Sequence, residues 1–139
     1  NFIQKNAIYL SDEYRETIVS IATARLYYTQ QLYDKAIKVI LQTEFNDFLM
    51  SLSARILLTK IYIETKNFDV AENHIATFKK YMRRQKNIGY HKDRVLKFLL
   101  MCEQLMIVRS ASKKQQKLFQ QQLTHDNALM EKEWLLEQI

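Results

Sequence analysis

Eight basic residues, Lys79, Lys80, Arg83, Arg84, Lys86, Lys92, Arg94 and Lys97, fall in one stretch that holds a single acid, Asp93. The chain's net charge is +6, so this stretch carries the whole excess. Lys79, Lys80, Arg83 and Arg84 stand at i, i+1, i+4 and i+5, which places them on one stripe of a helix. Such a stripe suits a phosphate, an acidic peptide or, less readily, a nucleic acid. Tyr81 and Tyr90 lie nearby in sequence, but no RNA-binding signature accompanies them. The competing explanation is structural, because cations in the last turn of a helix offset the negative end of its dipole. It covers Lys79 to Lys86. It fails for Lys92 and Arg94, which open the next helix, where positive charge is unfavourable. The candidate anion-binding set is therefore Lys79, Lys80, Arg83, Arg84, Lys92, Arg94 and Lys97.

Catalysis has little to work with. His74, His91 and His125 are scattered, and none has metal-ligand spacing with cysteine or a carboxylate. The chain has one glycine, Gly89, and so cannot form a Gly-rich phosphate loop. No nucleophile elbow occurs. Glu13 with Glu16, and Glu131 with Glu133, read as acids on exposed faces or helix starts. Cys102 is the only cysteine and sits in the apolar run Phe98–Cys102, where an inert buried thiol is expected. No metal, no cofactor and no enzymatic activity are expected of these residues.

The elements that carry them are helical. Proline is absent and glycine occurs once, whereas an all-β chain draws on both for its turns. Apolar residues recur at helical spacing almost throughout. This predicts a stub over 2–9, Ser11 as an N-cap, and helices over about 12–30, 33–42, 46–65, 68–84 and 91–109. A Gln- and Lys-rich helix capped by Ser110 or Ser112 follows to about 123, and a last helix spans 128–138. The segment Gln85 to Tyr90 is the clearest break, since Asn87 and Gly89 tolerate the left-handed conformation that ends helices. No run of about 18 apolar residues exists to cross a membrane.

A repeat organises these helices. Tyr33-Asp34-Lys35-Ala36 recurs 35 residues later as Phe68-Asp69-Val70-Ala71, with Tyr27 matched by Tyr62 and Ile40 by Ile75. A small Ala lets two helices approach, the aromatic packs at the start of the second helix, and the Asp meets the positive dipole end. Single hairpins cannot bury their apolar faces, so such units stack.

At Leu26 to Ile37 and Ile61 to Glu72 the sequence resembles tetratricopeptide repeats, around the turn between that family's two helices. The two copies cover about residues 12–84. They depart from the family where its usual Gly is Gln31 and Lys66, where its small residue is Ala24 but then Thr59, and where its closing Pro is missing. The end, Glu131 to Glu137, also resembles the ends of uncharacterised bacterial helical-repeat proteins. The resemblance implies an all-α, right-handed α-α superhelix of about seven helices. It would form one domain over 1–139, with 12–43 as repeat 1, 46–86 as repeat 2, 91–123 as a degenerate repeat 3 and 127–139 as a capping helix around Trp134. The chain opens on Asn1 rather than Met, so it reads as the C-terminal fragment of a longer chain, with 2–9 ending a preceding unit.

The family's concave groove maps onto Ile21, Arg25, Tyr28 and Thr29 in repeat 1, and onto Ile56, Lys60, Ile63 and Glu64 in repeat 2. The Lys and Asn set of the family's carboxylate clamp is missing. The bland alternative is that the apolar members of this set belong to the core. The expected function is a cytoplasmic scaffold that binds a protein or peptide. The alternatives are anion or nucleic-acid binding through 79–97 and a purely architectural end of a longer solenoid.

Overall fold

The computed structural model describes residues 2–139, with side chains from Asp12 onward. Among the described residues every regular element is a helix. They are α1 (Phe2–Thr29), α2 (Tyr33–Leu41), α3 (Phe48–Glu64), α4 (Phe68–Arg84), α5 (Gly89–Val108), α6 (Lys113–His125) and α7 (Lys132–Glu137). None of them is long and apolar enough to cross a membrane. The all-α class read from the sequence is what is found. Contacts divide the chain into two compact units, one ending at Ile61 and one running Tyr62–Ile139.

In the first unit α1 packs against α2. Ala24 and Ala36 are fully buried, and Ile21 and Ile40 nearly so. The expected break between a 2–9 stub and a helix from residue 12 is absent, because α1 is one helix through Ser11 and Asp12. Whether the Ser11 side chain caps anything lies outside the described side chains. α3 begins later than expected, where Asp47 Oδ2 accepts from Met50 N at 3.0 Å and satisfies a free N–H of the first turn.

In the second unit α4 packs on α5, while α6 and α7 pack on α5 and on each other. Phe78, Val95, Phe98, Leu99 and Leu105 are fully buried. Ser112 is the α6 cap, its side chain accepting from Gln115 N at 3.2 Å. α7 starts at Lys132 rather than 128. Asp126 Oδ1 accepts from Ala128 N at 3.1 Å, and this local turn diverts the backbone before the helix begins.

The 35-residue repeat is carried by the main chain. Gln31 (φ 61°) and Lys66 (φ 60°) are both left-handed. After α1, Gln31 N donates to Tyr28 O at 3.0 Å and Leu32 N to Tyr27 O at 2.8 Å. After α3, Lys66 N donates to Ile63 O at 3.0 Å and Asn67 N to Tyr62 O at 2.9 Å. These are the paired bonds of a Schellman turn, which satisfies the last carbonyls of a helix. The next residues match too, with Leu32 at φ −90°, ψ 65° and Asn67 at φ −88°, ψ 68°. Four residues on, Ala36 and Ala71 are both fully buried.

Candidate functional site

The hairpin of α4 and α5 joins the two halves of the basic cluster. Lys92 Nζ, from the first turn of α5, donates to the Arg83 carbonyl at 3.2 Å. That carbonyl is among the unpaired acceptors ending α4. The cation that looked misplaced at the start of α5 thus sits at the negative end of the α4 dipole. Other members of the cluster have internal partners. Lys79 pairs with Glu103, and Lys97 pairs with Asp126. The Lys97 hydrogen bond holds the Asp126 carboxyl below its ordinary range, helped by the bond from Ala128 N. Arg94 lies over the Tyr90 ring at 5.2 Å, with its Nε buried and without a hydrogen-bond partner. Lys80, Arg83, Arg84 and Lys86 are exposed at the end of α4 and just beyond it. Of the seven candidates, Lys80, Arg83 and Arg84 present their charge outward.

The groove candidates separate in the same way. Arg25 and Thr29 are exposed on α1, and Tyr28 is half-buried with its ring edge-on to Tyr33 at 6.0 Å. Lys60 is half-buried on α3. Ile63 is fully buried and belongs to the core, so it cannot line a groove. Glu64 accepts from Trp134 Nε1 at 2.9 Å. That bond fixes the indole, which is nearly buried and tilted against Phe98 at 6.2 Å. Tyr33 meets Tyr28, Phe68 lies under the Arg109 guanidinium at 5.3 Å, and Asp34 and Asp69 are exposed in first helical turns.

Cys102 is fully buried. His74 lies between aromatic rings, 5.5 Å from Tyr62 and 5.8 Å from Phe78. Burial of Tyr62 raises its phenol above the ordinary value. Among the described residues no three of His, Cys, Asp and Glu come together as a metal-ligand group.

Sequence reasoning missed a cavity of about 370 Å³ between the C-terminal half of α5 and α6. Its apolar wall is formed by Ile107, Val108, Ala111, Leu118 and Phe119. The amides of Gln104, Gln115 and Gln122 edge it. The signal was present, because Leu118 and Phe119 are adjacent apolar residues in a polar helix. Neighbours on a helix point about 100° apart, so both cannot face one core. Phe119 is buried and Leu118 is not.

Comparison with protein-family models, curated proteins and solved structures found no match to this chain.

Proposed function

We propose that this chain is a non-catalytic protein-interaction module, a tetratricopeptide-like stack of helical hairpins that presents a surface to a protein or peptide. One observation carries the reading. The same left-handed turn, with the same pair of backbone hydrogen bonds and the same buried Ala four to five residues later, recurs at a 35-residue interval. Repetition of that kind belongs to architectures whose units stack into extended binding surfaces. In this reading the hairpins wind into a right-handed superhelix and α7 covers its end. Arg25, Tyr28, Thr29 and Lys60 are the remaining groove residues, since Ile63 is buried and Glu64 is engaged by Trp134.

The test is retention of a specific, saturable protein partner by the immobilised whole chain in extract from its native cell. Arg25→Glu with Lys60→Glu should weaken that retention if the groove is used. Retention of no specific protein ends the interaction reading. Unchanged retention by the double variant ends only the groove assignment.

A second reading rests on the outward-facing charges of Lys80, Arg83, Arg84 and Lys86, which have no acid among them. These would take an anion. Affinity for polyadenylate or inorganic phosphate should then fall steeply with added salt. Flat salt dependence, or binding untouched by Arg83→Glu with Arg84→Glu, removes this reading.

A further inference from the structure

We infer that the α5–α6 groove is a docking site for a short amphipathic helix with acidic flanks, supplied by a partner protein. The inference rests on the interaction reading and names the surface and the chemistry of its occupant. Ile107 is 72% exposed and Leu118 57% exposed, so the two largest aliphatic groups of the wall are turned out of the core. The groove is long. Leu100, 46% exposed, stands one turn before Gln104 on the same side of α5 as Ile107. From Leu100 to Ile107, and again from Gln115 to Gln122 on α6, the face runs two turns, about 10 Å at 1.5 Å per residue. A helix that sets apolar anchors at i, i+3 or i+4, and i+7 into such a trough matches that length. The cavity of about 370 Å³ also has room for more than one anchor, since roughly 150 Å³ takes a benzene ring.

Charge chooses among amphipathic helices. α6 reads Lys-Lys-Gln-Gln-Lys-Leu-Phe-Gln-Gln-Gln-Leu-Thr-His, with three lysines and no acid. Lys113, Lys114 and Lys117 are all exposed, and Lys114 lies one turn before Leu118. On the α5 side Glu103 is one turn before Ile107, but Lys79 neutralises it. The rim is therefore basic, and glutamine amides next to the apolar floor can meet side-chain carboxylates without a repulsive partner. A basic amphipathic helix would set like charges side by side.

The experiment uses the whole chain and two synthetic peptides of about four turns, each with Leu at i, i+3 and i+7. One carries Glu on both flanks, and its twin carries Lys at the same places. Amide shifts are followed by NMR at low and high salt. The acidic peptide should shift residues between 100 and 122 and bind about tenfold more tightly than its twin at low salt, an advantage that shrinks as salt is added. Lys114→Glu with Lys117→Glu should reverse the preference. Ile107→Gln with Leu118→Gln should abolish binding and leave thermal unfolding unchanged, because both side chains already face solvent. The inference is overturned by no binding of the acidic peptide at millimolar concentration, by shifts outside 100–122, or by equal affinity of the twins. It is also overturned if sedimentation shows that two copies of this chain occupy the face. Those outcomes leave the wider interaction reading standing if a partner is retained elsewhere.

Discussion

Gln31 and Lys66 should each be more stable as glycine. Both are exposed and both hold φ near +60°. The left-handed conformation costs an L-residue about 1–2 kcal/mol, which glycine does not incur. Against this, glycine adds freedom to the unfolded chain, worth about 0.4–1 kcal/mol. The net expectation is a gain of about 0.5–1 kcal/mol for Gln31→Gly and a similar gain for Lys66→Gly. The chain's own glycine supplies the converse. Gly89 opens α5, has no positive φ, and a Cβ added there would meet nothing within 4 Å. Gly89→Ala should therefore also stabilise, by about 0.4–1 kcal/mol. Glu72→Gly, at an exposed position inside α4, is the control of opposite sign and should cost about 1 kcal/mol. Urea denaturation measures all four. With a slope of about 2 kcal/mol/M, the stabilised variants should unfold at midpoints raised by about 0.2–0.5 M with the slope unchanged. If both Gln31→Gly and Lys66→Gly lower the midpoint, the left-handed assignment is wrong. If they move it in opposite directions, the two turns are not equivalent and the repeat loses its structural basis.

Three further outcomes are expected. Ser112→Ala removes the α6 cap and should cost about 1 kcal/mol, read by faster hydrogen exchange at Gln115 and its neighbours in the first turn. Trp134→Ala should cost about 3–5 kcal/mol in denaturation, because it empties a buried site. The chain has one tryptophan, so in the parent protein the emission of Trp134 should be blue-shifted and move to the red in step with unfolding. The folded-state pKa of Asp126 lies below its unfolded value, so the contribution of this group is present above the unfolded pKa and is lost as pH falls through the folded one. An NMR titration should show Asp126 protonating later than ordinary aspartates on acidification. Lys97→Met should return it toward the usual range.

Much of the fold was legible because its signals are local. α4 runs from Phe68 to Arg84 as read, and α2 starts at Tyr33, where an aromatic and an Asp mark the first turn of each second helix. Three failures have distinct causes. Ser11, Asp12 and Glu13 resemble a helix start, yet α1 runs through them, since without Gly or Pro the helix loses only tenths of a kcal/mol, about 0.5, at Ser. By residue type, Asn87 and Gly89 are both left-handed candidates. Asn87 adopts φ 63°, while Gly89 enters α5, because a turn needs only one such residue. The candidate sites were the least legible. Lys79–Glu103, Lys97–Asp126 and Glu64–Trp134 join residues 24 or more positions apart, and no local pattern announces such pairs. Ile63 falls in the groove by the family resemblance, but a resemblance in register gives the face of a helix and not what covers it.

The distribution of charge and apolar surface therefore has to be weighed after pairing. By sequence, 79–97 is the conspicuous feature and 113–122 only a stretch of Gln- and Lys-rich helix. After folding, Lys79 and Lys97 are paired with carboxylates, Lys92 is committed to a helix end and Arg94 to a ring. Solvent screens ion pairs at or near the surface, so these pairs contribute little stability, but they do remove charge from the outward field. The lysines of α6 face no carboxylate within their own helix, and Lys114 stands one turn before exposed Leu118. Apolar surface left in water is unfavourable and like charges set close together repel, and neither gains anything within the chain. A partner with carboxylates flanking an apolar stripe would offset both terms at once, which is why the polar-looking helix, and not the basic stretch, is the stronger place to seek an interface.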